Sequence, residues 1–275
     1  MHNPARILIF AFCMAACVAP ARAEDYTPVR RPVPDNAACK RALALIHETY
    51  KRDYSAQTND ARRKLARKLL TDSAIITTDP PMRFALLTEA LSIASRAGDV
   101  HTAERVSDEL DRRFIVNRAQ VRLAAAAELL IHADAARDYQ ALTDMCLEGV
   151  DHAIRIDDFD LADDLLNVAE RAAVQTKDIA YSSQARAKRL EMIEARKQYN
   201  LVAAQLKVLT DDPDNLTANL AAGKYLCFIK GDWNAGLPHL AKGSDTALRQ
   251  AATAELANRS EEHTSELQSR GLISY

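Results

Sequence analysis

Residues 79–114, DPPMRFALLTEALSIASRAGDVHTAERVSDELDRRF, decide the fold class. Asp79 can cap a helix, and Pro80-Pro81 suit its first turn, where a missing N–H costs nothing. Phe84, Leu87, Leu91 and Ala94 then recur at spacings of three and four, which places them on one face. Gly98 stops that helix and Asp99 caps the next one at once, with Ala103, Val106, Leu110 and Phe114 as its apolar stripe. A break this short leaves the second helix no course but back along the first, so the two pack antiparallel.

The same punctuation extends in both directions. No proline lies between Pro81 and Pro213, and Gly98 and Gly149 are the only glycines in that stretch, too few turn formers for an all-β fold. Aromatic residues make up 5% of the chain, so the core must come from Ala, Leu, Val and Ile in close helix–helix contact. Residues 24–36, with three prolines, read as an extended linker. Asp35 or Asn36 then caps a helix carrying Cys39, Leu43, Ile46, Tyr50 and Tyr54 on one side. A second helix spans about 59–76 with Leu65, Leu69 and Leu70 inward.

Downstream, helices are predicted at about 118–133 and 138–155. Another begins at Asp157-Asp158, burying Leu161, Ala162, Leu165, Ala169 and Ala172. Residues 178–210 form one long packing helix on Met192, Ala195, Tyr199, Val202, Leu206 and Leu209. Asp212-Pro213-Asp214 restarts the pattern to about Ile229. Lys230-Gly231-Asp232-Trp233 then leads a shorter helix, and Gly243-Ser244-Asp245 opens a last one.

The unit Gly98-Asp99 with Ala103 returns as Asp157-Asp158 with Ala162 and as Gly231-Asp232 with Gly236. Each is a turn followed, four residues after the Asp, by a small residue that permits close helix approach. The intervals, 59 and 74 residues, do not fit a regular tetratricopeptide array of about 34. The expectation is therefore an all-α protein, a degenerate tetratricopeptide-like α-solenoid of antiparallel helix pairs, over residues 37–258.

The two ends carry different messages. Arg6, the apolar run at 7–19 and Ala21-Arg22-Ala23 form a secretory leader over 1–23 with cleavage between Ala23 and Glu24. A lipid anchor at Cys17 is the alternative. The run is shorter than the roughly 20 apolar residues needed to span a bilayer, and no later segment is longer, so export without a membrane span is expected. At the other end RSEEHTSELQS (259–269) resembles the in-frame translation of a sequencing adapter, and ISY (273–275) fits the bases that follow. On that reading 259–275 is foreign and the repeat domain is interrupted after Asn258.

From about Glu48 to Leu256 the chain resembles a helical-repeat region common in exported planctomycete proteins of unassigned function. ETYKRDY (48–54), the Gly98-Asp99 turn and above all YLCFIKGDWNAGLPHLAKGSD (225–245) carry the resemblance. In that family the helical region often precedes a lectin-like or formylglycine-enzyme-like domain. The resemblance thus implies that such a piece could follow, and it supplies no catalytic residue.

Candidate chemistry is sparse. The formal net charge is −2, without the clustered basic excess that nucleic acid requires. Cys39, Cys146 and Cys227 lie too far apart for a zinc knuckle and are expected as buried free thiols; a single disulfide would have three pairings. The acids Asp157, Asp158, Asp160, Asp163 and Asp164 lack the glycine and terminal Glu of a calcium loop and suit a helix N-terminus. Arg62, Arg63, Lys64, Arg67 and Lys68 read as a solvated helix face. His47, His101, His132, His152 and His239 never pair at metal-binding spacing, and Ser244-Asp245 is a cap rather than a nucleophile.

Trp233 is expected to pack between successive helix pairs, with a binding hot spot as the alternative. No catalytic, cofactor or metal site is predicted. The expected function is a non-catalytic exported module that binds an unknown protein or peptide, or that spaces a missing C-terminal domain. The alternative is the helical portion of a secreted enzyme or carbohydrate-binding protein.

Overall fold

A computed structural model describes residues 30–56 and 58–269, so the expected leader over 1–23, the cleavage expected between Ala23 and Glu24, and Cys17 lie outside the described residues. Twelve α-helices follow in chain order: α1 Asn36–Thr49, α2 Lys51–Tyr54, α3 Asn59–Ile75, α4 Pro80–Arg96, α5 Val100–Arg113 and α6 Arg118–His132. They continue as α7 Ala136–Arg155, α8 Phe159–Gln175, α9 Ile179–Asp211, α10 Leu216–Lys224, α11 Trp233–Lys242 and α12 Thr246–Ser269. A π-helical turn, Tyr225–Ile229, extends α10. The described residues contain no β-strand beyond an isolated parallel bridge between Arg31 and Phe114.

Capping chemistry sets the helix starts. Asp35, Thr58, Asp79, Asp99, Asn117, Asp158, Asp178, Asn215 and Asp232 each accept a backbone N–H of the first turn. Asp245 does the same for α12, 3.0 Å from the Ala247 nitrogen. Such a cap satisfies a donor that the helix itself leaves orphaned. The helices α2 and α7 depart from the pattern, since Tyr50 and Ala135 precede them without a side-chain cap.

From α3 onward every connection is three or four residues long, so each helix turns back against its predecessor. From α3 to α9 the helices also touch the next but one: α3, α5, α7 and α9 form one row of contacts, and α4, α6 and α8 another, whereas α10 to α12 touch only their neighbours in sequence. Leu65, Leu69, Leu87, Ala94, Ala103, Val106, Leu110, Phe114, Ala162, Leu165, Ala169 and Ala172 are buried, as the stripes predict. Alanine at these seams brings helix axes close, which compensates in contact density for small side chains.

The proline-bearing approach to α1 is extended and also docked. The Arg31 nitrogen donates to the Arg113 carbonyl at 2.9 Å, and the Ile115 nitrogen donates back to the Arg31 carbonyl at 2.8 Å. Arg30 adds bonds to Phe114 O and to Asp111 Oδ1 at 2.9 and 2.8 Å. The long helix α9 is sparsely buried: of its predicted inward positions Met192 and Val202 are buried, Ala195, Tyr199, Leu206 and Leu209 half-buried.

Candidate interaction surface

The turns that the sequence singled out share one backbone geometry. Gly98, Asp157 and Gly231 all take positive φ, at 64°, 61° and 69°. The Asp that follows each is an N-cap, with φ, ψ of −90°, 76° at Asp99, −89°, 76° at Asp158 and −87°, 79° at Asp232. At the first, the Gly98 nitrogen donates to Ser95 O and the Asp99 nitrogen to Ala94 O; at the second, Asp157 donates to Ile154 O and Asp158 to Ala153 O. These are Schellman closures in which one left-handed residue ends a helix and the next begins another. Lys177 (φ 58°) before the cap Asp178 is also left-handed, but there the Asp178 nitrogen donates to Thr176 Oγ1 instead of a helix carbonyl, and its conformation was not anticipated.

The Asp157 turn is held from the far end of the chain. Tyr225 Oη donates to Asp157 Oδ1 at 2.6 Å, and Lys230 Nζ donates to the same oxygen at 2.7 Å. Lys230 Nζ also donates to the carbonyls of Ile154 and Arg155 at 3.0 and 2.6 Å, closing the C-terminus of α7. Burial and then the Asp157 carboxylate push the Tyr225 hydroxyl well above its ordinary pKa. An Asp rather than a Gly therefore occupies the left-handed position because its side chain is used. Tyr225→Phe is expected to cost about 1–3 kcal/mol, the range for a hydrogen bond to a charged group, readable by urea melts.

The π turn places Tyr225 and Cys227 inward, with Lys230 N reaching back to Tyr225 O at 3.0 Å. Close packing surrounds it: a Cβ at Gly236 would lie 2.9 Å from the Cys227 nitrogen, and one at Gly223 would lie 2.7 Å from the Leu240 nitrogen. The small residue expected at position 236 is thus required by backbone approach. Gly243 likewise lies near Leu220, and the Ser244 nitrogen donates to Leu216 O at 3.0 Å.

On the outer side of this turn Phe228, Ile229 and Trp233 are 52%, 54% and 44% exposed. Phe228 and Trp233 meet edge-to-face with ring centroids 5.5 Å apart. The expectation that Trp233 fills a seam between helix pairs is corrected: α10 and α11 approach through Gly223 and Gly236, which leaves no room for an indole between them. The three side chains instead make a small apolar ridge on a pinned turn.

A second cluster was missed by the sequence reading. Arg122 on α6 is 1% exposed, yet it reaches Met145 O at 3.1 Å, Glu148 Oε2 at 2.9 Å and Asp108 Oδ1 at 3.2 Å. Arg118, one turn earlier, shares Asp108 at 2.6 Å. Burial raises the nearby Glu104 carboxyl, with Arg122 acting against it. The cluster ties α5, α6 and α7 together through internal ion pairs.

The remaining candidates disperse. Asp160 and Asp163 pair with Arg196 and Arg189 at 3.0 and 2.6 Å, and no group of three or more His, Cys, Asp or Glu among the described residues could hold a metal ion. The basic run is more than a solvated face: Arg63 Nε donates to Ala97 O at 3.0 Å and Arg67 reaches Asp99 Oδ2 at 3.1 Å, clamping the Gly98 turn. Cys39, Cys146 and Cys227 are free thiols; Cys39, near the start of α1, is half-buried rather than buried. Burial pushes the Cys146 thiol up to about 12.

His239 Nδ1 lies 2.8 Å from Asn219 Oδ1, and Asn219 Nδ2 donates to the carbonyls of Pro213 and Asn215. That arrangement makes Nδ1 a protonated, donating nitrogen. Burial, then Lys242, lowers the His239 pKa below its ordinary 6.5, and burial, then Arg155, does the same for His152. At these two sites the folded chain binds fewer protons than the unfolded chain near and just below pH 6.5, so their contribution to stability falls as pH drops through that value. Replacing both histidines by glutamine is expected to flatten the decline of Tm between about pH 7 and 6, measured by thermal circular dichroism.

No family model matches this chain, and neither does any curated protein or solved structure.

Proposed function

We propose that the chain is a non-catalytic, exported helical-repeat module, a tetratricopeptide-like α-solenoid that offers its surface to a protein or peptide. The observation that carries this reading is the ridge of Phe228, Ile229 and Trp233, about half exposed on a turn held by Tyr225 and Lys230. Scattered apolar residues on a surface need no explanation, whereas an aromatic pair preorganised on a rigid element is the kind of anchor that dominates binding energy. The two rows of sequential helix contacts support the solenoid, since stacked pairs create extended faces of this sort. Export rests on Arg6, the apolar run at 7–19 and the Ala21–Ala23 cleavage pattern before Glu24.

A selection of displayed peptides against the purified chain tests the binding claim. Enriched peptides are expected to shift the fluorescence of Trp233, the single tryptophan, and to bind Trp233→Ala at least about tenfold more weakly while that variant keeps its helical spectrum. Peptides held equally well by Trp233→Ala would contradict the reading. The adapter-like string at 259–269 favours a second reading, in which the helices support a further C-terminal enzyme or carbohydrate-binding domain beyond Asn258. Sequencing the locus past that codon decides between them, because an early stop removes the second.

A further inference from the structure

The long helix α9 is apolar on two opposite sides, and the second side faces away from the molecule. Ile179, Leu190, Ile193, Leu201 and Val208 are 83%, 69%, 52%, 73% and 37% exposed. Ile179, Leu190 and Leu201 follow one another at eleven-residue intervals, and Val208 comes seven later. Eleven residues are very nearly three helical turns and seven are two, so these side chains form a straight line opposite the inward Ala185, Met192 and Val202. Helical packing explains the inward line, and among the described residues nothing covers the outer one.

We infer that this outer line of α9 is an interface with a second copy of the chain, the two α9 helices pairing antiparallel about a two-fold axis. The charges along the line choose that occupant. An axis passing between Ala195 and Arg196 sets Leu190 opposite Leu201 of the second copy and Glu194 opposite Lys197 of the second copy. Each contact is then made twice, as two-fold symmetry demands. Glu194 and Lys197 are both exposed, with side-chain accessibilities of 58% and 67%, and lie 3.6 Å apart within one helix. In the pair each would also meet the opposite charge across the seam. A parallel arrangement would instead put Glu194 beside Glu194 and Lys197 beside Lys197.

The line from Ile179 to Val208 is about 43 Å long, and a strip of helix surface about 10 Å wide gives roughly 900 Å² over two copies. That size belongs to weak, reversible association rather than to an obligate dimer. The interface is distinct from the Phe228–Trp233 ridge, so it can fail while the peptide-binding reading stands.

Sedimentation velocity on the full chain, and on the chain lacking residues 1–29, tests the inference. Both are expected to show a monomer–dimer equilibrium with a dissociation constant on the order of 10–100 µM. Dimerisation that vanishes with residues 1–29 would assign the association to the apolar run at 7–19 and overturn the inference, as would a monomer at all concentrations. Leu201→Glu, at an exposed position, should keep its helical spectrum and abolish the dimer; a dimer of unchanged strength would refute the seam. Glu194→Lys alone and Lys197→Glu alone should each weaken association about tenfold, and the double exchange should restore it. Failure of the double exchange to restore it would exclude the antiparallel register.

Discussion

Gly98→Ala is expected to destabilise the chain by about 3–5 kcal/mol, among the largest losses any single methyl group can cause. Two separate effects combine. Gly98 has φ of 64°, where an L side chain costs about 1–2 kcal/mol. A Cβ there would also lie 2.3 Å from the carbonyl oxygen of His132 and 2.8 Å from its carbon, both backbone atoms at the end of α6. No rotamer change relieves such a clash, so α6 would have to move away from the α4–α5 turn. Gly231→Ala isolates the first effect, because φ is 69° but nothing lies within 4 Å of its Cβ. It is expected to cost about 1 kcal/mol. Equal shifts of the urea midpoint for the two variants would contradict the close approach of α6 to this turn.

Arg122→Ala is expected to lose about 3 kcal/mol or more, and the division of that loss is informative. Asp108 and Glu148, its ion-pair partners, keep 36% and 60% side-chain exposure, so neither is stranded in a dry interior when the guanidinium goes. The larger contribution is the void left beneath α6, with the added hydrogen bond to the Met145 carbonyl lost as well. The Nε atom of Arg122 has no hydrogen-bond partner, so its burial is incompletely compensated even now. Arg122→Met should therefore recover more than half of the loss by refilling the volume without a buried charge. Denaturant melts of the two variants measure this. A methionine variant as unstable as the alanine variant would mean that the ion pairs, not packing, hold α6 in place.

The helix starts were legible because an aspartate at a break has one dominant use. Asp79, Asp99, Asp158, Asp232 and Asp245 all cap the helices the sequence assigned to them. Three features were not legible, each for a physical reason. Lys177 adopts a left-handed turn that its side chain does not advertise. Arg122 stands in register with Ala119, Ala126 and Leu129, all buried, and that spacing was the available signal; reading it required knowing that Asp108 and Glu148 arrive from α5 and α7. Trp233 was assigned to a seam on its size, but Gly223 and Gly236 bring the backbones too close to admit it. Within the 225–245 stretch, the roles of Tyr225 and Lys230 depended on a partner some seventy residues away in sequence.

Helix α1 packs on α4, and from α3 onward each helix packs on its neighbours in sequence, so the core is laid down stepwise along the chain. The main apolar cluster runs from Ala42 to Met192, with Ala195 and Tyr199 packed against it, and takes no side chain from beyond α9. A smaller cluster of Cys227, Leu237, Leu240 and Ala252 serves α10 to α12. The most direct test is therefore the thermal and urea unfolding of residues 30–211 alone. That piece is predicted to remain helical and to melt cooperatively, with a lower Tm from the lost Tyr225 and Lys230 contacts to Asp157. A piece without helical signal or without a cooperative transition would contradict an interior built from neighbours.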